Sequence, residues 1–215
     1  MFFLCLLLLI KIYLINLSNK LKKLKMKKII LTVIAVLGFA FANAQKVEFG
    51  AKAGLNLANL IGDVQNNSTR VGFLVGTFAE IKVAQKFSIQ PELLYSTQGL
   101  KYDGGKLLLD YLNVPVLVKY YVESKFSLEA GPQIGFLLSA KDKFDGKSVS
   151  REVDTKDEYE KIDFGLNFGL GYNLTEKLSI GARYNLGLSN IAKTEDDEDF
   201  KVKNSVFAIS LGYKF

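Results

Sequence analysis

The side chains that could do chemistry in this sequence are carboxylates and ammonium groups, because there is no histidine and only one cysteine. Without an imidazole there is no Ser-His-Asp arrangement and no histidine general base. The commonest transition-metal ligand is missing too, and Cys5 alone makes neither a disulfide nor a thiolate zinc site. The densest charge is Glu195-Asp-Asp-Glu-Asp199. Its carboxylates suit hard cations, yet the spacing is not that of an EF-hand loop. A solvated loop held open by repulsion is the plainer account, with divalent-cation binding as the alternative. The glycines of Gly165-Leu-Asn-Phe-Gly-Leu-Gly171 alternate with apolar residues and no helix follows, so they form no phosphate loop. No catalytic residue, cofactor or metal site is expected, and the protein is not expected to be an enzyme.

What remains is a set of charges at regular positions: Glu48, Lys52, Glu80, Lys82, Glu92, Lys119, Glu129, Lys161, Asp163 and Arg183. Each lies in a segment where polar or small residues alternate with apolar ones. Phe49, Ala51, Ala53, Leu55 and Leu57 oppose Glu48, Lys52 and Asn56, for example. A period of two is the signature of a strand with one apolar and one wet face. Isolated buried charges are costly, but a mixed-sign set can pair inside a wet interior.

The formal charge of +6 is unevenly placed. Seven of the 28 basic residues and none of the 22 acidic ones fall within residues 1–44, so the rest of the chain is one charge negative. The basic balance therefore implies no nucleic-acid partner. From Met26 the chain reads as a secretory signal: Lys27 and Lys28, an apolar run over 29–41, then Ala42-Asn43-Ala44. Small residues at Ala42 and Ala44 predict cleavage before Gln45. The expected organisation is an upstream extension over 1–25 from a start codon assigned too early, a helical signal peptide over 26–44, and one domain over 45–215.

Alternating segments are predicted over 47–60, 70–83, 87–98, 108–122, 126–140, 160–174 and 178–190, with a closing strand over 205–215. In the last, Phe207, Ile209, Leu211, Tyr213 and Phe215 form the apolar row. Loops are expected over 61–69, 103–105, 141–157 and 191–201, and tight turns over 84–86, 123–125 and 175–177. The turns share a pattern: Gln85-Lys-Phe-Ser-Ile, Ser124-Lys-Phe-Ser-Leu and Glu176-Lys-Leu-Ser-Ile each open the next strand. Short connections on one side and longer ones on the other match bacterial outer-membrane barrels.

The expected fold is all-β: a single closed antiparallel transmembrane β-barrel of about eight strands in the cell outer membrane. In hydrocarbon every backbone amide must be bonded within the protein, so only a closed barrel spans it with strands. The apolar rows then face lipid and the ten charges face the lumen; a secreted soluble lipocalin-like binder would invert them. Eight strands enclose an interior that side chains fill, which disfavours a general diffusion pore. The leading function is a structural or interaction role presenting outer loops, with a narrow conduit for small solutes or ions as the alternative. Expected partners are outer-membrane lipid, the barrel-assembly machinery through the C-terminal strand, and envelope proteins.

Four segments resemble the PorT-like outer-membrane β-barrel family: Phe49-Gly-Ala-Lys-Ala-Gly-Leu-Asn-Leu57, Ile89-Gln-Pro-Glu-Leu-Leu-Tyr-Ser96, Tyr111-Leu-Asn-Val-Pro-Val-Leu-Val-Lys-Tyr120 and Ala130-Gly-Pro-Gln-Ile-Gly135. The resemblance implies an outer-membrane barrel of Gram-negative bacteria; a few such proteins serve secretion or gliding machinery. Pro91, Pro115 and Pro132 fall inside predicted strands, where bulges or ends of pairing usually accommodate proline.

Overall fold

The computed structural model describes residues 46–64, 67–145, 150–193 and 200–215. The predicted alternation becomes long antiparallel strands: β1 (Lys46–Gly62), β2 (Asn67–Ala84), β3 (Phe87–Tyr102), β4 (Gly105–Tyr121) and β5 (Phe126–Asp145). These are followed by a short β6 (Ser150–Asp154), a 3-10 turn over Lys156–Glu158, β7 (Ile162–Asn173), β8 (Leu178–Gly187) and β9 (Val202–Lys214). Eight of them form a ring in the order β4-β3-β2-β1-β9-β8-β7-β5, sealed by pairing of β4 with β5, while β6 hangs on the outer end of β5. The closing strand β9 pairs with β1 from Gly50↔Lys214 to Gly62↔Val202, so the ring has no open edge.

Side-chain direction follows the parity of each strand. On β9, Phe207, Ile209, Leu211 and Tyr213 are exposed while Val206, Ala208 and Lys214 are buried. Leu55 on β1 is 61% exposed and Glu92 on β3 only 3%. A soluble barrel reverses that order, so the apolar outer wall is the lipid face and the soluble lipocalin-like alternative is excluded. Outward aromatics gather near the short turns: Phe87 and Tyr120 form a tilted pair with centroids 5.0 Å apart, and Tyr213 lies 6.2 Å from Phe215. Amphipathic rings there suit the membrane–water boundary.

The repeated turn motif has a structural use. The carbonyls of Lys86, Lys125 and Lys177 accept bonds from the amides of Tyr121, Asn173 and Lys214, each 2.8 Å long. Every short turn is thereby tied to the end of the second ring strand after it, β4, β7 and β9 in turn.

Two loop expectations are corrected. Residues 141–157 are not aperiodic: β5 runs to Asp145 and pairs with β6 from Lys141↔Asp154 to Asp145↔Ser150. The connection at Asp103-Gly104 is a two-residue turn, with Gly104 at φ +88°. Spanning a bilayer takes about 9–11 tilted residues, whereas β1–β5 have 16 to 20. The surplus lies at the loop end, because β5 leaves β7 at Phe136↔Ile162 and continues upward beside β4. One side of the cylinder therefore stands taller than the other.

The prolines sit neither in bulges nor at strand ends. At Pro91 the β2–β3 ladder skips from Phe78↔Glu92 to Ile81↔Ile89. At Pro115 the β3–β4 ladder skips from Pro91↔Val116 to Leu94↔Asn113, and at Pro132 the β4–β5 ladder skips from Pro115↔Gln133 to Val118↔Ala130. Register is unchanged across each gap. The missing donors simply leave three interruptions, one after another, on a diagonal across β3, β4 and β5.

Candidate functional site

The inward rows of β1, β2, β3, β4, β5, β8 and β9 bring eight charged groups into one connected array. Lys214 Nζ is 2.6 Å from Glu48 Oε2 and 2.8 Å from Glu80 Oε2. Lys119 Nζ lies 3.6 Å from Glu80 and 3.3 Å from Glu129 Oε1. Arg183 reaches Glu129 at 3.1 Å and grips both oxygens of Glu92 at 2.7 and 3.0 Å. Lys52 Nζ closes the chain at 2.5 Å from Glu92 Oε1. Four carboxylates thus meet four cations, and the fork of Arg183 gives the strongest geometry in the set. Neutral partners finish the contacts: Gln90 Nε2 donates to Glu92 at 2.6 Å, Gln90 Oε1 accepts from Lys119 at 3.1 Å, and the Tyr121 hydroxyl donates to Glu80.

Glycines on neighbouring inward rows make room for these long side chains. A Cβ on Gly171 would stand 2.8 Å from Glu129 Oε1, and one on Gly169 3.3 Å from Arg183 Cβ.

Toward the loop end the charges give way to amides. Asn56 Nδ2 donates to Ser96 Oγ at 2.9 Å, Asn167 to Gln133 at 3.3 Å, and Asn185 to Asn167 at 3.2 Å. Above them Asp163 accepts from Asn204 at 2.8 Å and from Ser189 at 3.0 Å. Higher still the inward row turns apolar. Leu60, Leu100, Leu107, Leu109, Leu137, Ala140, Ile191 and Val202 are buried together beside Tyr111. The lumen is therefore layered: ion pairs, amides, then a hydrocarbon cap.

Between the charged and amide layers little free space is left, while a cavity of about 270 Å³ opens at the turn-side mouth beside Glu48, Glu80, Lys82 and Lys214. Cavities of about 20 and 30 Å³ border Arg183, whose Nε is buried without a protein partner. Each has room for a water molecule and for nothing larger.

Of the ten charges expected in the lumen, Glu48, Lys52, Glu80, Glu92, Lys119, Glu129 and Arg183 are members of the array. Asp163 is buried in the separate layer above. Lys82 lies exposed at the turn-side rim, where the β2–β3 register shifts between Lys82 and Ala84. Lys161 is exposed and precedes β7, its carbonyl accepting the Leu137 amide at 2.9 Å. Lys82 keeps its inward parity and lines the turn-side mouth with Glu48, Glu80 and Lys214, whereas Lys161 is a correction: ahead of the strand water reaches the side chain, and alternation no longer implies the lumen. Lys214 is the member that sequence reasoning missed. It stands on the small-residue row of the closing strand with Val206, Ala208, Ser210 and Gly212, and that parity was its signal. Ala42, Ala44, Gln45 and the acidic run at 195–199 lie outside the described residues, as does the segment over 1–44. Among the described residues no group of three or more potential metal ligands is found.

A family model described as "Outer membrane protein beta-barrel domain" matches residues 41–193. Among solved structures, Neisserial surface protein A is 13% identical with a TM-score of 0.51, covering 80% of this chain and 100% of its own. The attachment invasion locus protein of Yersinia pestis is 16% identical with a TM-score of 0.46, over 80% and 100% of the two chains. The N-terminal β-barrel domain of OprF from Pseudomonas aeruginosa is 10% identical, with a TM-score of 0.43 over 80% and 99%. No curated protein matches the chain in sequence.

Proposed function

Because the chain belongs to the outer membrane protein β-barrel domain family, and so resides in the cell outer membrane, we propose that it is a closed barrel with a structural or interaction role. Its outer hairpins and loops are the parts offered to other envelope components. The observation that carries this is the filled lumen: eight paired charges, an amide layer and an apolar cap leave space in the middle only for single waters. A conduit for solutes or ions would require that array to part, and each broken buried pair costs several kcal/mol.

Planar-bilayer recording of the refolded protein tests this directly. The expected trace is silent at moderate voltage. Steady, reproducible conductance steps would replace the closed-barrel role with transport.

We further assign the chain to the PorT-like group, on the four segments that resemble it, with a secretion or gliding assembly as its setting. Affinity purification from mildly solubilised envelopes should then recover components of such an assembly; recovery of the barrel alone counts against it. Export through a signal peptide cut before Gln45 and insertion through recognition of β9 by the barrel-assembly machinery belong to the same proposal. Amino-terminal sequencing of the membrane-embedded protein reads the first. A truncation lacking Phe215, followed by fractionation, reads the second.

A further inference from the structure

The apolar cap does not fill the loop-side mouth. Above Leu60, Leu100, Leu107 and Val202, each nearly inaccessible to solvent, lies a cavity of about 720 Å³. Tyr102, Tyr159, Val64, Ala192 and Phe200 form its sides. The size falls in the range of about 300–1,000 Å³ usual for small-molecule sites, and such sites are mostly apolar with few polar groups. At the edge stand Asp142, Asp157 and Glu158 against Lys193. The Lys193 ammonium is directed to the Asp157 carbonyl at 2.9 Å, while Tyr102 donates to Asp142 Oδ1 at 2.5 Å. Among the described residues lining the cavity, carboxylates therefore outnumber cations three to one.

We propose that this mouth binds a small amphipathic cation, an apolar or aromatic body carrying an amine. The body displaces water from the leucine floor, where water finds few hydrogen-bond partners. The ammonium stays at the rim, where carboxylates attract it and the rings of Tyr102 and Tyr159 offer negative π faces. A carboxylate of the same shape meets Asp142, Asp157 and Glu158 and is repelled. The site needs no passage through the barrel, so it goes beyond the closed-barrel role and does not depend on it.

The test uses the full barrel in phospholipid nanodiscs, titrated calorimetrically with 4-phenylbutylamine, 4-phenylbutanol and 4-phenylbutanoate, with empty discs subtracted. Saturable binding is expected in that order, the amine at least tenfold tighter than the acid. The double substitution Asp157→Asn and Glu158→Gln changes only exposed side chains; it should bring amine and alcohol to within about twofold of each other. Val64→Trp occupies the cavity and should weaken all three at least tenfold, with heat-modifiable gel migration showing that the barrel still folds. No heat beyond that of empty discs, equal affinity across the three probes, or a Val64→Trp protein that binds as before would each overturn the proposal. Conductance steps in a bilayer would refute the closed barrel and leave this binding result standing.

Discussion

Glu92→Gln is the substitution that interrogates the lumen array most sharply. The carboxylate accepts from Lys52 at 2.5 Å, from Arg183 at 2.7 and 3.0 Å and from Gln90 at 2.6 Å. Glutamine keeps the shape but carries no charge, and its amide nitrogen must face at least one of these donors. Arg183 retains Glu129 at 3.1 Å, whereas Lys52 loses the only carboxylate within ion-pair distance among the described residues. Leaving one buried charge uncompensated costs about 3–5 kcal/mol. With a urea dependence of ~2 kcal/mol per molar, a loss of about 4 kcal/mol lowers the unfolding midpoint by about 2 M. The measurement is urea titration of the barrel in lipid vesicles, scored by the fraction that migrates as the folded, heat-modifiable band. The double variant Glu92→Gln/Lys52→Met removes the orphaned cation with its partner and should recover at least about 1 kcal/mol relative to additivity. A midpoint displaced by less than about 0.3 M, or a double variant no better than the sum of its parts, would refute the array as a stabilising unit.

Other perturbations address the wall and the outer end. Gly131→Ala places a Cβ 2.0 Å from the Val116 carbonyl oxygen, while the nearest atom to a Cβ on Gly181 is 3.4 Å away. Gly131→Ala should therefore cost at least about 2 kcal/mol and Gly181→Ala less than about 1 in the same titration; equal effects would contradict the close approach of β4 and β5. Leu55→Arg, on the lipid face, should destabilise by about 2–4 kcal/mol in vesicles, and a neutral result would mean that this row does not meet hydrocarbon. Tyr159, in the segment between β6 and β7, has its phenol pushed up to about 12, first by burial and then by Glu158 and Asp142. Because the folded value is raised, its contribution to stability is complete below about pH 10 and fades as the pH climbs through about 12. The tyrosinate absorbance lost in Tyr159→Phe should carry that late midpoint; titration near pH 10 would show an exposed ring.

The ring itself was legible because a half-lipid wall imposes strict alternation. Leu55, Ile209 and Leu211 on one parity and Lys52, Glu92 and Arg183 on the other could be assigned without coordinates. The pairing inside the lumen was not legible, since Lys52 meets Glu92 and Lys214 meets Glu48 only through the register of strands distant in sequence. The outer end was hidden for two physical reasons. Above the bilayer both faces of the β5–β6 hairpin are wet, so Lys141, Asp142, Lys143 and Glu152 show no contrast. At Leu107-Leu108-Leu109 both rows are apolar, and nothing in the residue types says that Leu107 and Leu109 face inward over the cap. The exposed Lys161, just ahead of β7, marks where parity stops carrying information.

The diagonal of interrupted pairing at Pro91, Pro115 and Pro132 bears on how this cylinder fails. A closed barrel shares tension among all its seams, but β3, β4 and β5 are joined by ladders that each lack rungs beside the next one's gap. Pulled from the loop end, the molecule should tear there first. The strands on the opposite side, β1 and β9, keep an unbroken run of pairs and would leave the lipid last.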